Sequence, residues 1–122
     1  MKVPGPDHPI TIAAAEKHVR ISFAGRTVAD TKRALVLKEA GYKPVFYIPR
    51  TDADMALLTR SAHSSHCPYK GDASYFTISV QGRTAENAVW CYEQPFPAVA
   101  AIKDHLAFYP DRVDTIERSS IG

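Results

Sequence analysis

The sequence is poor in the features that most biochemical classes require. No stretch approaches the ~18 consecutive apolar residues of a membrane helix, so no membrane partner is expected. Cysteine occurs twice in 122 residues, too rarely for a disulfide framework. The Walker loop, the dinucleotide fingerprint, the H-E-x-x-H helix and the G-x-S-x-G elbow are all missing. Charge of one sign is also lacking: 15 basic against 13 acidic residues leave +2. That balance demands neither nucleic acid nor an anionic surface. The basic residues are dispersed rather than striped with aromatics, so a nucleic-acid partner is not expected. Met1 to Pro9 contains no apolar run, and Pro4, Pro6 and Pro9 exclude a helix there. No secretion signal is expected from it. The expected location is the cytoplasm, with Cys67 and Cys91 as free thiols.

What is present suits one small globular domain. Apolar residues make up 45% and charged residues 23%, and a chain of this length buries enough surface to fold without staples. Residues 1–9 read as a flexible lead-in, and residues 10–122 as a single domain. Period-two alternation marks strands at Ile10–Ile12, Val19–Phe23 and Tyr75–Val80. Gly25-Arg26 marks a turn after which Thr27–Ala29 pairs back. Ala34–Lys38, Val45–Ile48, Val89–Tyr92, Leu106–Tyr109 and Val113–Ile116 read as further strands. Thr51–Leu58 carries capping and acidic residues at its start and predicts a helix of two turns at most. Val99–Lys103 suits one helical turn. Arg60–Pro68 reads as a polar loop. Short strands between turns predict a mainly β domain, an antiparallel sandwich or partly open barrel with one or two short helices.

Cys67-Pro68-Tyr69-Lys70-Gly71 is the segment richest in chemistry. A thiolate nucleophile needs nearby positive charge. Lys70 supplies it, and His66 supplies a base. The plainer reading is a structural turn whose cysteine behaves as a small hydrophobe. His63, His66 and Cys67 are three metal donors in five residues, but zinc wants four ligands, usually from two clusters. No metal is expected. Trp90 and Tyr92 share one strand face, which is either an aromatic wall for a flat ligand or packing.

Several ordered motifs together act as a fingerprint. They are Ala29-Asp30, Tyr47-Ile48-Pro49-Arg50, His66 to Tyr75, Ala88-Val89-Trp90-Cys91-Tyr92 and Ala107-Phe108-Tyr109. With them the chain resembles the DUF427 family over roughly residues 10–117. The resemblance implies a compact β domain similar to the Mss4-like fold. Mss4 proteins bind zinc through paired cysteines; this chain has no CxxC, so that site does not carry over, and no cofactor is implied. A nucleotidyltransferase-like label attached to the family would require carboxylates holding Mg²⁺ beside a phosphate loop. Asp52-Ala53-Asp54 has the spacing but no such loop precedes it. The resemblance also gives weight to Asp30, Arg33, Tyr47 and Arg50, where Arg50 would clamp a carboxylate or phosphate.

Two functions remain open at this point. In the first, Tyr47, Arg50, His66, Lys70, Trp90 and Tyr92 line a pocket for a small anionic ligand: a phosphate, a nucleotide or a carboxylate. Were that pocket catalytic, Cys67 would be the nucleophile, His66 or Asp30 the proton carrier, and Lys70 the charge stabiliser. In the second, the domain is a non-enzymatic protein-interaction module. The sequence decides neither the reaction nor the oligomeric state.

Overall fold

Alternating side chains give both faces of most strands something to bury, and the fold follows from that. A computed structural model describes residues 1–121. Among the described residues ten strands form: β1 (Ile10–Ala14), β2 (Lys17–Phe23), β3 (Arg26–Thr31), β4 (Leu35–Glu39), β5 (Val45–Pro49), β6 (Leu58–Cys67), β7 (Gly71–Val80), β8 (Arg83–Cys91), β9 (His105–Phe108) and β10 (Thr115–Ser120). Seven make one sheet in the order β1-β4-β5-β9-β8-β7-β6, and three make another in the order β10-β2-β3. The pairings within both sheets are antiparallel. The domain is therefore mainly β, an antiparallel sandwich whose large sheet does not close on itself.

The two sheets meet over one apolar core. Val19, Ile21 and Phe23 of β2 and Val28 of β3 pack against Ile48, Phe76, Ile78, Val89, Leu106 and Phe108 of the large sheet. Each fully buried side chain of this kind contributes about 1.5–3 kcal/mol relative to exposure. The neighbouring residues on the same strands point the other way. Leu37, Tyr47, Tyr75 and Ala107 form a second cluster on the outer face of the large sheet. The segment Pro97–Ile102, a pair of short 3-10 turns, covers part of that face with Val99 and Ile102. The rest of the face stays open and becomes the site described below.

Two elements differ from the sequence reading. The helix expected over Thr51–Leu58 is replaced by two 3-10 turns, Arg50–Asp52 and Met55–Leu57. Between them Ala53 is extended and bridges Ala29, while Asp54 N–H donates to Val28 O at 2.8 Å. Pairing with β3 takes the backbone groups that a continuous helix would have used. Asp54 still caps, accepting from Ala56 N–H at 3.2 Å. Secondly, Arg60 to Cys67 is not a loop but most of β6. It is the outermost strand of the large sheet, so a polar run exposed along most of its length is tolerated there.

The first residues are mostly exposed but touch the domain at a few points. Lys2 N–H donates to Pro68 O at 2.7 Å, Gly5 and His8 form a bridge, and the His8 ring stacks on Tyr69 with centroids 4.0 Å apart. Among the described residues no helix is long and apolar enough to cross a membrane.

Candidate functional site

The open part of the outer face is an aromatic cleft of about 220 Å³. Strand register builds it. Tyr75 of β7 lies opposite Trp90 of β8, which lies opposite Ala107 of β9. Tyr47 of β5, one step before the Ile48–Leu106 pair, lies alongside Ala107. A methyl group thus sits beneath the large rings, which meet over it and leave it fully buried. Tyr92 and Tyr109 follow β8 and β9 and close the cleft from two sides. The rings meet by their edges and tilted faces: Tyr47 and Trp90 are nearly perpendicular at 6.4 Å, and Trp90 and Tyr109 lie 4.5 Å apart. The Trp90 indole N–H donates to Tyr47 Oη at 3.3 Å.

Charge enters at one end. Lys70 sits in the turn between β6 and β7, held by Phe96 N–H donating to its carbonyl at 3.0 Å. Gly71, at φ +110°, makes that turn possible. A side chain there would also press on Gln94 O, because an added Cβ would come within 3.3 Å of it. Lys70 Nζ hydrogen-bonds Glu39, and their side chains are only 11% and 13% exposed. His8 Nε2 lies 2.7 Å from the other Glu39 oxygen. Burial opposes ionisation of Glu39, but its bonds to Lys70 and His8 outweigh that and hold its carboxyl below the usual range. Lys43 also lines the cleft, so two ammonium groups face one carboxylate. The phenols stay protonated. Burial pushes Tyr47 and Tyr92 well above the ordinary tyrosine value, and burial with the neighbouring Tyr75 pushes Tyr109 up to about 12. They act there as hydroxyl groups, not as phenolates.

Of the residues expected to act together, the cleft gathers Tyr47, Lys70, Trp90 and Tyr92. Cys67 packs half-buried against the same aromatic cluster. The others lie elsewhere. Asp30 is on the small sheet, bonded to His18 at 2.5 Å and Arg20 at 3.3 Å. Arg33 pairs with Asp52 at 3.0 Å. Arg50 follows β5 by one residue beyond Pro49 and points to the β7 side. There it lies over the Phe76 ring at 5.2 Å and approaches Glu93 at 3.5 Å. Glu93 also receives Arg60 at 2.5 Å and Ser74 at 2.9 Å. His66 adjoins Cys67 on a strand, so the two side chains point to opposite faces; His66 Nδ1 is instead 2.7 Å from Asp72. Neither proton carrier named for Cys67 is thus beside it. Among the described residues no three His, Cys, Asp or Glu side chains are placed to hold a metal ion.

Glu39, Lys43, Tyr75 and Tyr109 complete the cleft and were not among the expected ligand-binding residues. Glu39 had a legible signal, since it is in phase with Leu35 and Leu37 on an alternating strand. An acid at an inward position implies a partner.

The fold and the site define a class: a small antiparallel β-sandwich domain that presents an aromatic cleft on the outer face of its larger sheet. Residues 11–119 match the family described as a domain of unknown function, DUF427. The chain belongs to that family. No protein with a curated description matches it.

Proposed function

We propose that the protein binds a small ligand in the aromatic cleft, one with a carboxylate or phosphate on a flat body. The convergence of Lys70, Tyr47, Tyr75, Trp90 and Tyr92 on one recess carries this reading. The excess of ammonium over carboxylate favours an anion, and the protonated phenols offer it donors. The Trp90 and Tyr109 rings offer a wall to a planar group. Arg50, His66 and Asp30 take no part in it. Cys67 packs behind the cleft, and its thiol is not used as a nucleophile.

The interaction-module reading gains no specific support. The large apolar side chains exposed among the described residues are Met1, Val3, Tyr42 and Ile121, from three separate segments.

Calorimetric titration with benzoate and with phenyl phosphate tests the proposal. The comparison protein is Glu39→Leu/Lys70→Met, which removes both charges and leaves neither unpaired. Wild type is expected to bind at least one probe saturably, and the double variant about tenfold or more weakly, as fits loss of one charged hydrogen bond. No binding by wild type, or equal binding by both proteins, contradicts the proposal.

A further inference from the structure

Trp90 borders two recesses, not one. Beyond it lies a groove of about 270 Å³ at the open end between the sheets, lined by Ile21, Pro44, Phe46, Phe108, Pro110 and Ile116. Trp90 and Val45 line both this groove and the cleft. The two recesses therefore adjoin at those side chains. Their characters differ: the cleft carries phenols and ammonium groups, the groove mainly aliphatic and aromatic carbon. The groove has two charged members. Asp114 is already engaged, accepting from Ala24 N–H at 2.8 Å and approached by Arg83 at 3.4 Å. The Arg118 guanidinium lies over the Phe46 ring at 5.6 Å. Size adds to the argument. Each recess alone falls below the ~300 Å³ at which small-ligand sites usually begin, and the two together fall within that range.

We infer that the ligand is an amphipathic anion, a carboxylate or phosphate monoester with an apolar tail. Its head lies in the cleft at Lys70, and its tail passes Trp90 and Val45 into the groove. The inference rests on the cleft-binding reading above and extends it to the substrate's tail. Desolvating the tail against Phe46, Phe108 and Ile116 supplies affinity that the head alone lacks. The Lys70 end fixes its direction, because the groove presents no buried ammonium to an anion.

The test is a chain-length series of benzoate, 4-ethylbenzoate and 4-butylbenzoate, titrated calorimetrically. Wild-type affinity is expected to rise roughly threefold to fourfold for each methylene that the groove accepts. Ile116→Phe, which fills the groove, should bind benzoate as wild type does and lose the gain with length. Arg118→Trp fills the same groove from an exposed position, two residues on and on the same face of β10, and serves if Ile116→Phe unfolds. Equal binding of all three probes by wild type overturns the two-recess ligand and leaves the cleft reading standing. So does a groove-filled variant that keeps the full gain. Failure of all three benzoates to bind overturns the two-recess ligand, and failure of phenyl phosphate as well overturns both.

Discussion

Removing the Lys70 ammonium should destabilise the fold far more than removing Lys70 and Glu39 together. The two side chains are 11% and 13% exposed, so both charges are largely desolvated, and each depends on the other. Deleting one partner of a fully buried pair costs about 3–5 kcal/mol, mainly through the stranded charge. Here Glu39 keeps His8 at 2.7 Å and a little solvent. A loss of about 2–3 kcal/mol is therefore expected for Lys70→Met, whose stem preserves the packing of the lysine chain. Glu39→Leu/Lys70→Met replaces the pair by apolar groups and should lie within about 1 kcal/mol of wild type. The assay is urea unfolding at pH 7 on wild type, both single variants and the double variant. The single loss would lower the midpoint by roughly 1–2 M, and the cycle should return a coupling of about 2 kcal/mol or more. Additive losses, or a Lys70→Met protein within about 0.5 kcal/mol of wild type, would refute the desolvation argument.

Three further outcomes follow from the geometry. Gly71→Ala should cost about 2 kcal/mol or more, read by thermal unfolding, because φ +110° and the approach to Gln94 O both resist a Cβ; an unchanged midpoint would refute this. With a disulfide thiol reagent at pH 8, the native protein should yield one fast thiol, Cys67, and a second only on unfolding. Cys91 is fully buried, and its thiol is pushed up to about 12 by that burial and by Glu93; two fast thiols would contradict it. Glu93 is held at about 2, first by Arg60 and then, against partial burial, by Ser74 and Arg50. A carboxyl lowered on folding adds stability that is complete above its unfolded value near 4.5 and vanishes as pH falls towards 2. Glu93→Gln should therefore flatten the decline in urea midpoint between pH 5 and 3; an unchanged slope counts against the Arg60–Glu93 bond.

Much of the fold was legible because the strands alternate cleanly. Phe76, Ile78 and Val80 against Tyr75, Thr77 and Ser79 identify β7 from one line of sequence, and the first set does enter the core between the sheets. What alternation does not disclose is that the opposite face also buries. Tyr75 reads as part of the polar face and Tyr47 as a ligand-lining residue, yet both are at least 93% buried in the outer cluster. The polar edge strand β6 gave no period at all, because most of its side chains meet solvent. Thr51–Leu58 carried real capping chemistry, but pairing of Ala53 with Ala29 is long-range information that local propensity does not hold. The site was half legible for similar reasons. Trp90, Tyr47 and Tyr92 converge because they share one face of one sheet, and Lys70 reaches that face from the turn between β6 and β7. Arg50 sits one residue past the end of β5, where the chain leaves that sheet into a 3-10 turn, and is taken by Glu93. His66 is lost to the cleft by strand parity alone.

The central claim is that the recess beside Trp90 takes a small anion, and the chain's lone tryptophan makes it directly measurable. The indole N–H gives a single nitrogen-15 correlation peak, and that group donates to Tyr47 Oη at 3.3 Å. On titration with phenyl phosphate this peak should move progressively and saturate, together with the backbone amides of Lys70 and Tyr109. A peak that stays fixed while other surface amides shift, or while nothing shifts, would contradict the account.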